Sequence, residues 1–540
     1  MRHKPTLFVV LSLASVPASA QVFGTNTGTF IDYFQSFPTD SVPLRYPGIY
    51  QQAYNPAPTS TVSGFAPVIT GNAGLYSNAL NYPNGAGYTL QFTAPNPAAI
   101  ATSLSGIFQN LTNVKVVGNQ YTANFTMAHD GGNLLAGGGE IDLAGASNAN
   151  PISNIAVVRP GGTLGGLTLS YQGYLKNYQA VRWMNNNNIN NNNGAMSAAN
   201  LLPSGQNISN NGNSYTDIIN WSNQQTNLQK VWVNIPVNAD TSFIKAVADQ
   251  VATQLSPTKQ VIFEYGNENW NFSFSHPGVT ILPKGKADPR VIAGDDFTRT
   301  AQEAGLLSAA MMQTIKSEYT AKGVDPNRAQ GFIGSQGANQ YFVDQEKAAI
   351  NRVYGAGTVA KLYSYQGISF YPDDNLTTNP GSVDALLNTL YADLPRQKQY
   401  LANDKADAAA SGLAEAVYEW SPNGFLTAGA VPASLVNAFR ADPRAKQWTL
   451  DEYNAIKSML SSTDMAMEFS VLGDGWSTQI NPLLPAEPEQ QAIQQIAAGL
   501  VTVGGGPNPI VGGGAPVPEP ASLGLIGLAT TALMARRRKA

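Results

Sequence analysis

The chain predicts an α/β protein built on a (β/α)8 TIM barrel, and three observations carry that expectation. Between about residues 165 and 500, short apolar runs alternate with stretches of helical period, the pattern of a parallel α/β architecture. The segment Val261 to Asn271, VIFEYGNENWN, passes from an apolar strand straight into a polar, aromatic cluster that contains an acid. Barrel strands carry packed core in their middles and chemistry at their C-terminal ends, so an acid just past Val261-Ile262-Phe263 stands where catalysis occurs. Far upstream, Val22 to Asn26 (VFGTN) supplies the additional run that brings the strands to eight.

Taken in order, Val22 to Asn26 is the first barrel strand, and Ala180 to Met184 (AVRWM) is the second, followed by an Asn-rich loop over Asn185 to Asn193. Val231 to Ile235 (VWVNI) is the third, closed by Pro236. Phe243, Ile244, Val247, Ala248, Val251 and Leu255 recur at helical spacing over Thr241 to Leu255, with Asp240 available as a cap. The strand at Val261 is the fourth. A helix over Phe297 to Tyr319 leads to a fifth strand at Ala329 to Ile333, and a sixth lies within Leu362 to Tyr371. Val383 to Leu401 reads as helix and Leu413 to Tyr418 (LAEAVY) as the seventh strand. A helix at Leu450 to Leu460, an eighth strand at Met465 to Phe469 and a helix at Pro488 to Leu500 complete the series.

Residues 40–164 have a different texture, with β-type alternation between Gly, Pro and Asn turns, as in YTLQFTA (Tyr88 to Ala94) and YTANFTM (Tyr121 to Met127). The one helical candidate there is Ala98 to Gln109. The segment reads as a β-sandwich-like insertion between the first and second barrel strands, or alternatively as an independent N-terminal β domain. The expected organisation is a signal peptide at 1–20, the first barrel strand and loop at 21–39, the β-rich insertion at 40–164, the rest of the barrel at 165–502, a Gly/Pro linker at 503–516 and a terminal tail at 517–540.

The two ends read as addresses. Arg2, His3 and Lys4 precede the apolar run Leu7 to Val16, and Ala18-Ser19-Ala20 has the small-residue pattern of a signal-peptide cleavage site. At the other end, Val517-Pro518-Glu519-Pro520 leads into the apolar Ala521 to Ala535 and closes on Arg536-Arg537-Arg538-Lys539. That tail resembles a PEP-CTERM sorting signal. The resemblance implies export from a Gram-negative-type cell, transient association with the membrane, and removal by an exosortase-like enzyme, with delivery to the surface or extracellular matrix. The other reading is a plain C-terminal anchor, although the apolar stretch is shorter than the roughly 20 residues a comfortable span requires.

Composition excludes several kinds of chemistry. With no cysteine among 540 residues, an exported chain relies on neither disulfides nor thiols. Six of the 31 basic residues and one of the 35 acids, Glu519, fall in the terminal segments, leaving 25 against 34, so nucleic acid is not an expected partner. Charged residues make up 12% of the chain, half the usual ~25%, and Asn, Gln, Ser, Thr, Gly and Tyr take their place. Such a surface suits neutral, hydroxyl-rich ligands. Beyond the signal peptide the histidines are His129, in the turn-like MAHDGGN, and His276, too few for a histidine metal site or a Ser-His-Asp triad. No glycine motif stands at a strand-to-helix junction to hold a phosphate, so neither metal nor cofactor is expected, and the chemistry falls to carboxylates.

Side chains alternate along a strand, so Glu264 and Glu268 share parity, as do Glu415 and Glu419. The first of each pair lies deeper, which leaves Glu268 and Glu419 at the catalytic face. Two such acids can cleave a glycosidic bond, or they can be salt-bridged acids at strand ends.

Asn267-Glu268 within EYGNENWN and Tyr418-Glu419-Trp420 resemble the clan-A glycoside hydrolases. These are retaining (β/α)8 enzymes whose acid/base Glu follows an Asn after the fourth strand and whose nucleophile Glu ends the seventh. Secreted bacterial proteins with an EYxNExWN fourth strand are the most similar in feel. The resemblance implies Glu268 as general acid/base, Glu419 as nucleophile and Asn267 as a hydrogen-bond partner of the substrate 2-hydroxyl. It further implies Arg182 and Tyr371 as groups that hold the nucleophile ionised. Trp270, Trp420 and Trp476 become candidate sugar-stacking platforms and Gln336 a subsite contact, with a poly- or oligosaccharide as the partner. The Asn run after Met184 departs from the structured loop expected in that group. A catalytically silent carbohydrate-binding or matrix protein on the same barrel, and a structural surface protein, therefore remain alternatives.

Overall fold

The structure, a computed structural model, describes residues 21–26, 41–42, most of 87–213, 214–470, 476–479 and 485–500. The segments expected as signal peptide and linker, most of 27–86 and the sorting motif lie outside the described residues, as does the side chain of His129.

Eight parallel strands close into a barrel: β1 Val22–Asn26, β2 Ala180–Arg182, β3 Lys230–Ile235, β4 Gln260–Tyr265, β5 Ala329–Gly334, β6 Tyr363–Gly367, β7 Ala414–Trp420 and β8 Met465–Glu468. Closure is made by β1, which pairs Gly24 with Ala180 of β2 on one side and Val22 with Met465 of β8 on the other. A short continuation of β6, Ser369–Phe370, also pairs with β7. Each strand is followed in the chain by a helix: α1 Leu169–Leu175, α2 Tyr215–Gln224, α3 Thr241–Gln254, α4 Asp296–Ala321, α5 Tyr341–Tyr354, α6 Val383–Ala410, α7 Pro443–Lys457 and α8 Pro488–Ala497.

The strands are near-continuous apolar runs because both faces are covered. One parity fills the barrel interior, where Val22, Ala180, Trp232, Ile262, Phe332, Tyr365, Ala416 and Met465 form one buried cluster. The other parity, including Val181, Val231, Val233, Val261, Phe263, Ile333 and Val417, packs outward against the helices. Helix starts are set by side chains that accept from the first free N–H groups. Ser214, Asp240, Asp295 and Ser382 do so for α2, α3, α4 and α6.

Several boundaries move from their sequence positions. Helix α7 begins at Pro443 rather than Leu450, because Asp442 caps it and a proline suits its first turn. Helix α6 continues to Ala410 through Pro395. Helices α1, α2 and α5 are additional to those expected, their apolar periods being short and broken by polar residues.

In chain order between β1 and β2, Ser41–Val42, Tyr88–Thr93, Phe108–Val117, Gln120–Met127 and Ser153–Val158 form an antiparallel five-stranded sheet. Ala101–Gly106 pairs separately with Gly139–Ala144. The helix expected over Ala98 to Gln109 is absent: Pro97–Ala99 is a single 3-10 turn, and strands follow it. Cross-strand pairing takes the place of the helix: Ala101–Gly106 is paired along its length with Gly139–Ala144, and buried Phe108 packs edge-on against Phe125 of the facing strand.

Candidate active site

Arg182, the last residue of β2, is fully buried at the C-terminal end of the barrel and organises what surrounds it. Its Nε and Nη2 donate to the two oxygens of Glu264 on β4, at 2.9 and 2.8 Å. Nη2 also donates to Asn267 Oδ1 at 2.7 Å, and Nη1 to Asn26 Oδ1 at 3.0 Å and Glu419 Oε1 at 2.6 Å. The guanidinium lies between the rings of Trp232 and Tyr418, 5.3 Å from each centroid, and Trp232 Nε1 donates to Glu264 at 2.8 Å. Burial works against its charge, yet Glu264 and Glu419 hold it above the ordinary arginine value. One cation is thus shared by two carboxylates.

Glu419 sits near the end of β7. Its second oxygen accepts from Tyr371 Oη at 2.7 Å, the tyrosine following the Ser369–Phe370 continuation of β6. Burial raises the Glu419 carboxyl, and Arg182 and Tyr371 pull it back toward ionisation.

Glu268 lies beyond β4 on a backbone that turns sharply, with φ of +69° at Gly266 and +45° at Glu268 itself. A left-handed conformation at a glutamate is uncommon and costs energy that the surrounding structure must supply. Here Asn269 Nδ2 donates to the Tyr265 carbonyl at 2.8 Å, and the Asn271 N–H donates to the Glu268 carbonyl at 2.8 Å. The carboxylate accepts from Tyr418 Oη at 3.0 Å and from Asn271 Nδ2 at 2.8 Å. Burial, and then the charge of Glu419, push its pKa up to about 7 against these contacts.

Asn267 is buried, and its amide is engaged on both sides, since Nδ2 donates to Asn190 Oδ1 at 3.0 Å. Its carbonyl lies 2.8 Å from His276 Nε2. Burial lowers the His276 pKa to about 4, so the ring is neutral and Nε2–H is the donor in that contact.

The expected residues therefore divide. Glu268, Glu419, Arg182, Asn267 and Tyr371 meet in one network. Trp476 stands beside it, half-buried, its ring 5.4 Å from Tyr371. Trp270 is half-buried against the layer between barrel and helices, and Gln336 forms a turn after β5 in which its carbonyl accepts from the Asn339 N–H at 2.9 Å. Trp420 has to be corrected: it is fully buried between strand and helix, its ring 5.7 Å from Tyr453, and has no face left for a sugar.

Glu264 also differs from its expected place. It belongs to the network rather than lying beneath it, because the interior parity of β4 points it at Arg182. Sequence gives little sign of the part played by Tyr418, Asn26 and Trp232. Tyr418 and Trp232 look like core aromatics there, and Asn26 ends a strand marked by its apolar residues. The signal that could have found Tyr418 is its place beside Glu419, facing into the barrel.

Fold and centre together define a (β/α)8 barrel with a carboxylate, arginine and tyrosine site at its C-terminal face. The chain also carries a PEP-CTERM protein-sorting motif, matched over residues 516–539. No curated protein shows significant similarity to it. Similar solved structures include a 4-O-α-L-rhamnosyl-β-D-glucuronidase from Fusarium oxysporum 12S, at 12% identity and a TM-score of 0.39, covering 62% of this chain and 65% of that one. A GH5-4 broad specificity endoglucanase from Clostridium longisporum is similar at 8% identity and a TM-score of 0.36, with 62% and 87% covered. A double mutant of the Cellulomonas fimi endo-β-1,4-mannanase shares 15% identity at a TM-score of 0.34, with 63% and 67% covered. The chain spans just under two thirds of the first of these, and the likeness is one of fold alone.

Proposed function

We propose that this protein is an exported retaining glycoside hydrolase acting on an extracellular polysaccharide or glycoside, with Glu268 as general acid/base and Glu419 as nucleophile. The observation that carries the reading is the contrast between two neighbouring carboxyls. Burial raises both, Glu268 to about 7, where it keeps a proton to give, while Arg182 and Tyr371 direct their donors onto Glu419 and offset part of its rise in favour of the ionised form. In the first step Glu419 attacks the anomeric carbon as Glu268 protonates the departing glycosidic oxygen, so the C–O bond breaks and a glycosyl ester forms. In the second, Glu268 takes a proton from water, the water oxygen attacks the same carbon, and the Glu419 carboxylate is released. Trp476 beside Tyr371 is the preferred stacking surface, with Trp270 and Gln336 further out.

Export through the N-terminal segment and processing of the PEP-CTERM tail by an exosortase-like enzyme would deliver the protein to the surface or matrix of a Gram-negative-type bacterium. Residues 40–164 then form a β-rich unit inserted in the barrel. The test is turnover of a panel of polysaccharides and aryl glycosides, with product configuration read by NMR. Retained configuration, lost by about 10²-fold or more in Glu268→Gln and Glu419→Gln, supports the reading. An inverted product, or full activity in either variant, sinks it.

A second reading, a carbohydrate-binding barrel without turnover, is favoured by the bond from Asn267 to Asn190, which engages the amide expected to meet the substrate. It predicts binding with no product from the wild-type protein.

A further inference from the structure

We propose that Phe272, Phe297 and Tyr341 form a second carbohydrate-binding platform on the leaving-group side of Glu268, so that the substrate is a neutral polysaccharide chain rather than a small glycoside. The direction rests on the hydrolase reading above; the platform itself rests on geometry. Phe272 follows Asn271, whose side chain holds Glu268 at 2.8 Å. Phe297 and Tyr341 lie in the first turns of α4 and α5, the helices that leave the C-terminal ends of β4 and β5. All three rings therefore gather on the face of the barrel that carries the carboxylates.

The rings form a row. Phe272 and Phe297 are 6.1 Å apart at 32°, and Phe297 and Tyr341 are 6.5 Å apart at 16°, so neighbouring ring planes are inclined by no more than 32°. Buried Phe342 packs edge-on beneath Phe297 at 5.2 Å, and Thr298 and Tyr341 join hydroxyls at 3.0 Å, which fixes the row in place. The two outer rings are nevertheless 45% and 46% exposed, which leaves them open to a ligand. Beside the row, Lys286 pairs with Asp296 at 2.9 Å, and the exposed Asp295 carboxylate accepts from the Thr298 N–H. An exposed aromatic strip that begins beside Asn271, the side chain bonded to the acid, offers ring faces to the C–H faces of successive neutral sugars. If Glu268 protonates the leaving oxygen, the strip beyond it receives the leaving portion of the chain.

The experiment uses the Glu268→Gln protein, in which turnover is stopped, and measures retardation in native gels cast with glucomannan, mixed-linkage β-glucan or arabinoxylan. Retardation by at least one polymer is expected, weakened about tenfold when Phe272→Ala and Tyr341→Ala are combined. Phe272→Trp and Tyr341→Phe should restore it, and Val117→Ser, an exposed apolar residue on the separate sheet, should leave it unchanged. Thermal melts establish that each variant is folded. Retardation by none of the polymers, or equal retardation with and without the two rings, overturns the platform. Self-association that the double alanine variant abolishes would overturn it in favour of a protein contact. Ring-dependent binding by a wild-type protein that turns nothing over would instead retain the platform and remove the hydrolase reading.

Discussion

At the scale of single residues, the proton on Glu268 and the charge on Arg182 make separate predictions. A general acid must be protonated to act, and the Glu268 pKa is pushed up to about 7, so kcat/KM should fall as pH rises above about 7. A pH–rate profile checks this, and activity undiminished at pH 9 would remove Glu268 from that role. Arg182 is the cation between Glu264 and Glu419, all three deeply buried. Taking it away in Arg182→Ala leaves two carboxylates without compensation, which should cost about 3–5 kcal/mol of stability in a urea titration. Arg182→Lys should recover little of that, because one ammonium cannot reproduce a fork bonded to Glu264, Asn267, Asn26 and Glu419.

At the scale of elements, strand β7 explains why parity alone misplaces acids. Ala416 and Tyr418 face the barrel interior, and Glu415 faces Asp404 on α6. Strict alternation would send Glu419 outward as well. Against β8, however, Val417 pairs with Ala466 while Trp420 pairs with Glu468, so β7 holds one extra residue between them. That bulge lets Tyr418 and Glu419 both serve the site. Closure at this strand is also tight: a Cβ on Gly367 would lie 1.6 Å from the Ala416 carbonyl oxygen. Gly367→Ala should force β6 away from β7, lowering the urea midpoint by an amount worth about 1–3 kcal/mol or more. An unchanged midpoint would mean that the two strands separate without cost.

At the scale of the whole molecule, buried acids outside the site set the response to pH. Glu468, at the end of β8, accepts from Tyr178 and from Thr478 Oγ1, and Glu489 of α8 accepts from Asn423; burial raises both to about 7. Between the unfolded carboxyl value near 4.3 and about 7 the folded state binds more protons than the unfolded one, so stability falls as pH rises through that window. Melting temperature should therefore decline from pH 5 to pH 8, and Glu468→Gln should flatten the decline. A melting temperature that rises over that range would show these carboxyls to be ionised in the fold.

Sequence alone determined the barrel strands and their order, because each is an apolar run bounded by turn residues and buried on both faces. It determined the positions of Glu268 and Glu419 at strand ends, since a polar cluster abutting such a run has few other places to go. It also marked the C-terminal sorting motif, which is read as a linear signal. Tertiary structure decided the rest. Glu264 joins Arg182, Tyr418 reaches Glu268, and Trp420 turns from a candidate platform into core, because bulges, left-handed turns and strand register decide which way a side chain points. None of these leaves a mark on local composition. Contacts such as Arg182 to Glu419, separated by more than two hundred residues, exist only because the barrel closes.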